Sequence, residues 1–136
     1  MRKLAVAVAW AFVAHPASAR AEDDGGAVRA AMTCDHADPP GRVRCDVEAR
    51  VPTGRTIRWG DVVIVRTPAF ASALRGRIGP RDASAREPDT WRWALALVAR
   101  ERGQGEVEGR VRLVVCEQAK CAPAEVAFTA RLVVGE

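Results

Sequence analysis

The sequence predicts an all-β chain, an immunoglobulin-like antiparallel β-sandwich, and three observations carry that expectation. Apolar and charged residues alternate with a period of two in several runs. Gly and Pro turns separate these runs at short intervals, and no long apolar stripe with helical spacing appears. Six or seven short strands are expected, with no internal repeats.

Val28 to Cys34 reads as a weak first strand, and Asp38-Pro39-Pro40-Gly41 as the turn after it. Arg42 to Val51 is the clearest element: Val43, Cys45, Val47, Ala49 and Val51 alternate with Arg42, Arg44, Asp46, Glu48 and Arg50. Pro52-Thr53-Gly54 turns into Thr56 to Arg66, whose Val62 to Val65 run predicts burial on both faces. Thr67 to Pro80 breaks the rhythm. Phe70 and Leu74 stand one helical turn apart there, so the segment reads as a loop with at most a short helix. Arg81 to Asp89 is polar and reads as an exposed loop. Trp91 to Ala99 is a strand with Trp91, Trp93, Leu95 and Leu97 on one face, although its Ala and Leu content also suits a helix. Gly103-Gln104-Gly105 reads as a turn into a strand from Glu106 to Cys116. The last strand is Glu125 to Val134, with Val126, Phe128, Ala130, Leu132 and Val134 inward. Trp59, Trp91 and Trp93 are assigned to the core, ahead of a carbohydrate or peptide platform.

The N-terminus carries a leader. Arg2 and Lys3 precede the apolar run Leu4 to Ala14, and Ala17-Ser18-Ala19 fits a small-x-small cleavage site, with Ala19-Arg20-Ala21 as the alternative. Residues 1–19, or 1–21, are therefore read as a signal peptide, 20–27 as a flexible lead-in and 28–136 as one domain. The leader run is well short of the ~18 residues that span a bilayer. No later stretch is longer, so the expectation is an exported, soluble chain with no membrane span after cleavage. The formal charge of +4 falls by two when Arg2 and Lys3 leave, and the arginines are interleaved with acids, which argues against a nucleic-acid partner.

Candidate chemistry rests on the cysteines. Four cysteines allow three pairings, and proximity favours Cys34 with Cys45 and Cys116 with Cys121. The first pair reads as structural: Cys45 faces the core, and closing that span stabilises by about 2 to 3 kcal/mol in the chain-entropy model. The second pair spans less chain and stabilises less. Lys120 favours a thiolate at Cys121 while Glu117 opposes one at Cys116, so on chemistry alone this pair is either a staple or a redox centre. The spacings lack zinc knuckles, Met32, Cys34 and His36 make a poor copper set, and no metal site is expected. His15 falls in the leader, leaving His36 alone for acid/base work. No serine nucleophile elbow or phosphate-cradling loop is present.

Val114-Val115-Cys116, then Lys120-Cys121-Ala122-Pro123 and Val126-Ala127-Phe128-Thr129, resemble the end of the N-terminal periplasmic domain of the thiol:disulfide interchange protein DsbD, itself an immunoglobulin-like sandwich. The resemblance covers about 20 residues and implies a periplasmic thiol:disulfide oxidoreductase module with catalytic Cys116 and Cys121. Cys121 would form the mixed disulfide and Cys116 would resolve it, with no cofactor. The implied partners are periplasmic thioredoxin-like proteins and a separate membrane electron carrier. Phe70 is the implied cap-loop residue; the other reading makes it a core Phe. Val114 stands where the family carries an aromatic, and the Cys34 and Cys45 pair is outside the motif. The alternative is an exported β-sandwich binding or assembly module with two structural disulfides.

Overall fold

A computed structural model describes residues 27–135. The predicted leader, most of the lead-in and Glu136 lie outside these residues. The described residues form an antiparallel β-sandwich of nine strands with the core between two sheets. They are β1 (Arg29–Cys34), β2 (Gly41–Arg50), β3 (Thr56–Arg66), β4 (Ala71–Ala73), β5 (Arg77–Ile78), β6 (Ala83–Arg86), β7 (Thr90–Ala99), β8 (Gly103–Glu117) and β9 (Lys120–Val134). One sheet runs β1-β2-β7-β4, with β6 also on β7; the other runs β5-β3-β8-β9. Among the described residues no helix is long and apolar enough to cross a membrane.

The period-two runs behave as their pattern dictates. In β2, Val43, Cys45, Val47 and Ala49 are buried, and in β7 Trp91, Trp93, Leu95 and Leu97 are buried opposite them. Strand therefore wins over helix in β7, because pairing with β2 over its whole length buries one alternate face.

Four expectations are corrected. Thr67 to Pro80 is not a plain loop: β4 pairs with β7, and the chain then crosses to the other sheet, where β5 pairs with β3. Arg81 to Asp89 contains β6, which returns to β7 after a short 3₁₀ turn at Pro80–Asp82. Strands of two to four residues are too brief to show an alternation, so the sequence reads as loop. The final hairpin is longer than expected at both ends. Gly103 and Gly105 do not turn; a Cβ on them would come within 2.8 Å of Phe70 and 2.6 Å of Pro68, so glycine there admits these rings onto the strand. The actual turn is Gln118-Ala119, with Gln118 in the left-handed region at φ 54°.

The fourth correction concerns β3. Val62 is fully buried, but Val65 is 53 % exposed, so the Val62 to Val65 run is not covered on both faces. Bulges fall between Ile57 and Trp59 and between Ile64 and Arg66. The first has a direct consequence: Ile57 pairs with inward Val115, whereas Trp59 pairs with outward Val114. Trp59 is thus removed from the core and stands half-buried on the outer face.

Gly109 lies under the ring of Phe128; an added Cβ would stand 2.8 Å from its Cε2 and 2.9 Å from the Val63 carbonyl oxygen. Because backbone forms part of that wall, Gly109→Ala is expected to lower stability by about 1 to 3 kcal/mol, measured by urea unfolding. An unchanged midpoint would mean that the Phe128 ring moves aside at no cost.

Candidate functional site

The register that closes the two outer hairpins also pairs the cysteines. Cys34 lies opposite Cys45 in β1 and β2, and Cys116 lies opposite Cys121 in β8 and β9. Each pair is bonded, with Cα atoms 4.0 Å apart. The Asp35 N–H donates to the Arg44 carbonyl at 2.8 Å, so the adjacent Cys34 and Cys45 occupy a non-hydrogen-bonded position, where opposed side chains come closest. The Cys116 pair stands one step inside the closing pair Glu117 and Lys120, the equivalent position of its own hairpin.

The two disulfides differ in accessibility. Cys45 is fully buried and Cys34 is half-buried, whereas Cys116 is buried and Cys121 is exposed. Arg55 Nε lies 3.5 Å from Glu117 Oε2 beside the second disulfide. Phe70 is at the opposite end of the hairpin: its ring lies against Gly103, which pairs with Val134, while Cys116 pairs with Cys121. The strand between them runs roughly 40 Å. Phe70 therefore does not cap these cysteines, and it packs at the margin of the hydrophobic core instead.

Met32, Cys34 and His36 are not brought together as ligands. Met32 is in the core, Cys34 is in a disulfide, and His36 Nε2 lies 2.7 Å from the Gly135 carbonyl oxygen. There His36 helps tie the loop after β1 to the chain end, where Ala37 bridges Val134.

The outer face of the β3-β8-β9 layer holds what the sequence reading missed. Successive cross-strand rows there are Thr56, Cys116 and Cys121; then Trp59, Val114 and Pro123; then Asp61, Arg112 and Glu125. The first two rows are largely apolar where such a face is ordinarily polar. They border a hollow of about 640 Å³ lined by Trp59, Val114, Pro123 and Ala124 together with Arg77, Arg112 and Glu125. A second hollow of about 610 Å³ shares Pro123 and Ala124 with it and is lined further by Cys121, Ala122, Val115 and Val28 and by Arg55, Glu117 and Lys120.

Asp61 anchors the charged row. It is 0 % exposed, and Arg77 Nε donates to its Oδ2 at 2.6 Å and Arg112 Nε to its Oδ1 at 2.8 Å, with Arg112 Nη2 also donating to Oδ2. Burial pushes the carboxyl pKa up, and the hydrogen bonds from Arg112 and Arg77 more than offset this, holding it below the ordinary Asp value. Only a bulge one residue before Trp59 places these groups on one face, and bulges leave no sequence signature that alternation can detect.

No protein-family model and no curated protein matches the chain. Comparison with solved structures gives likenesses at low identity and low superposition scores. The seventh ScaB type I cohesin from Pseudobacteroides cellulosolvens superimposes with a TM-score of 0.45 at 16 % identity, over 78 % of this chain and 92 % of that one. Self-complemented MyfA, the major subunit of Myf fimbriae from Yersinia enterocolitica, gives 0.42 at 14 %, over 81 % and 99 %. The ASH / PapD-like domain of human CEP192 gives 0.38 at 10 %, over 99 % and 100 %.

Proposed function

We propose that the chain is an exported β-sandwich binding or assembly module in which both disulfides are structural. The observation that carries this reading is the apolar, concave outer face around Trp59, Val114 and Pro123. A sheet face left to solvent has no need of a half-buried Trp beside Val and Pro, whereas a face that meets a partner does. The disulfides fit the same role. Each joins residues that strand pairing already holds opposite one another, so each bond locks a register the sheet has set.

A second reading rests on one specific observation: Cys121 is exposed while Cys116 is buried beside it. That asymmetry suits dithiol exchange of the kind found in the DsbD N-terminal domain. The reduced pair would donate two electrons: the Cys121 thiolate attacks a disulfide of an oxidised periplasmic thioredoxin-like protein and expels one partner thiolate. The Cys116 thiolate then attacks Cys121 Sγ, which closes the intramolecular disulfide and releases the second partner thiolate. A separate membrane electron carrier would restore the dithiol.

Cys116→Ala separates the two readings, since it leaves Cys121 as a lone exposed thiol. The binding reading expects no more mixed disulfide with an oxidised thioredoxin-like protein than a surface-cysteine control gives. A stable adduct that accumulates well above the control would favour exchange and displace the binding reading.

A further inference from the structure

Two hollows share Pro123 and Ala124 in their linings, and taken together as one groove they have an apolar middle and an excess of positive charge at each end. At the first end Arg77 and Arg112 share the single carboxylate of Asp61, and Glu125 is taken by Arg110 at 3.1 Å. Three guanidiniums thus face two carboxylates. The Arg77 and Arg112 side chains are still 57 % and 46 % exposed, so both remain open to a solvent-borne anion. At the second end Arg55 and Lys120 face Glu117, again one base more than acid. Between them lie Trp59, Val114, Pro123, Ala124, Cys121 and Ala122.

Resting on the binding reading, we propose that this groove takes an extended segment of a partner protein, apolar at its centre and acidic toward both ends. Charge complementarity selects the acidic ends, because arginines that already share a carboxylate accept a further one in a charge-assisted hydrogen bond. The length of the groove selects a segment over a small organic acid, since the two hollows are lined from Trp59 on the sheet face to Lys120 beside the hairpin turn. The segment does not add to the sheet at this point. β9 is the edge strand, and Pro123 removes a backbone donor from it. Contact is therefore made by side chains: apolar groups against Trp59, Val114 and Pro123, carboxylates at the arginines and Lys120.

The test uses the full chain with both disulfides intact and a short fluorescein-labelled peptide with glutamates at both ends and leucines in the centre, followed by fluorescence anisotropy. Peptides with lysine ends or with a serine centre are the comparisons. The glutamate and leucine peptide is expected to bind at least about tenfold more tightly than either, and to weaken at high salt. Val114→Asp, which places a carboxylate on the outward middle of the groove, is expected to weaken it by about tenfold, and Lys120→Glu by a few fold. Melting temperatures near that of the parent chain show that both variants are folded. Equal binding of the lysine peptide, no binding of any peptide, or an unaltered Val114→Asp variant would overturn the proposal. Free glutarate competing as well as the peptide would overturn a segment as the occupant. These failures leave the binding reading standing; that reading falls separately, on a trapped Cys121 adduct.

Discussion

Arg112→Met is expected to destabilise the fold more than Asp61→Asn, although both remove the same ion pair. The difference lies in which group is left behind. Met at position 112 strands a fully buried carboxylate with only Arg77 for company, and an under-compensated buried charge costs about 3 kcal/mol. Asn at position 61 leaves two guanidiniums that are each about half exposed and can rehydrate, for a loss of about 1 to 2 kcal/mol. Urea unfolding of both variants at neutral pH checks the order. Equal losses would show that the carboxylate is rehydrated in the Arg112 variant.

The same carboxylate gives the fold an acid limit. The folded pKa of Asp61 is lower than its unfolded one, so its contribution to stability is complete above the unfolded value of about 3.9. It is lost as pH falls from there through the folded pKa. Glu48, held low chiefly by Arg92, and Asp82, held low chiefly by Arg75, have the same sign. Stability of the parent chain should therefore fall steeply below about pH 4. Asp61→Asn should flatten that fall, and an unchanged acid limb would remove Asp61 from it.

Removing the Cys34–Cys45 bond by a double Ser substitution is expected to cost about 3 kcal/mol, and removing Cys116–Cys121 about 2 kcal/mol, in the chain-entropy model. The sequence separations of 11 and 5 set the order. Placement adds to the gap, since Cys45 belongs to the hydrophobic core cluster and its replacement puts a hydroxyl there, whereas Cys116, though buried, lies outside that cluster and Cys121 is exposed. Thermal unfolding of the two double variants measures the difference. A larger loss from the second pair would mean that the hairpin tip, with Gln118 at positive φ, cannot form without its bond.

What was legible in the sequence was whatever repeats. β2 and β7 declared themselves because four alternate positions of each pointed one way, and both cysteine pairs followed from proximity in the chain. The segments between β3 and β7 did not, because β4, β5 and β6 are each defined by a partner strand distant in sequence and contain too few residues to show a period. Gly103 and Gly105 read as turn residues but sit in a strand as seats for Phe70 and Pro68, and Pro123, which falls before the expected start of the last strand at Glu125, lies inside β9. Trp59 is the costliest error for function. It was assigned to the core with Trp91 and Trp93, and the bulge at Arg58 inverted that face, which removed a core residue and left Trp59 on the outer face beside Val114 and Pro123.

That inversion leaves the disulfide beside Trp59 as the feature that decides between the two readings. Cys116 and Cys121 lie opposite one another in a ladder that runs the length of β8 and β9, so a reduced pair is expected to re-form at high effective concentration. Equilibration of the folded domain with defined glutathione and dithiothreitol buffers, read by alkylation and mass spectrometry, gives the potential of this pair. A structural bond predicts a value below about −300 mV. A value between about −270 and −120 mV, the range of dedicated exchange proteins, would contradict the binding-module account.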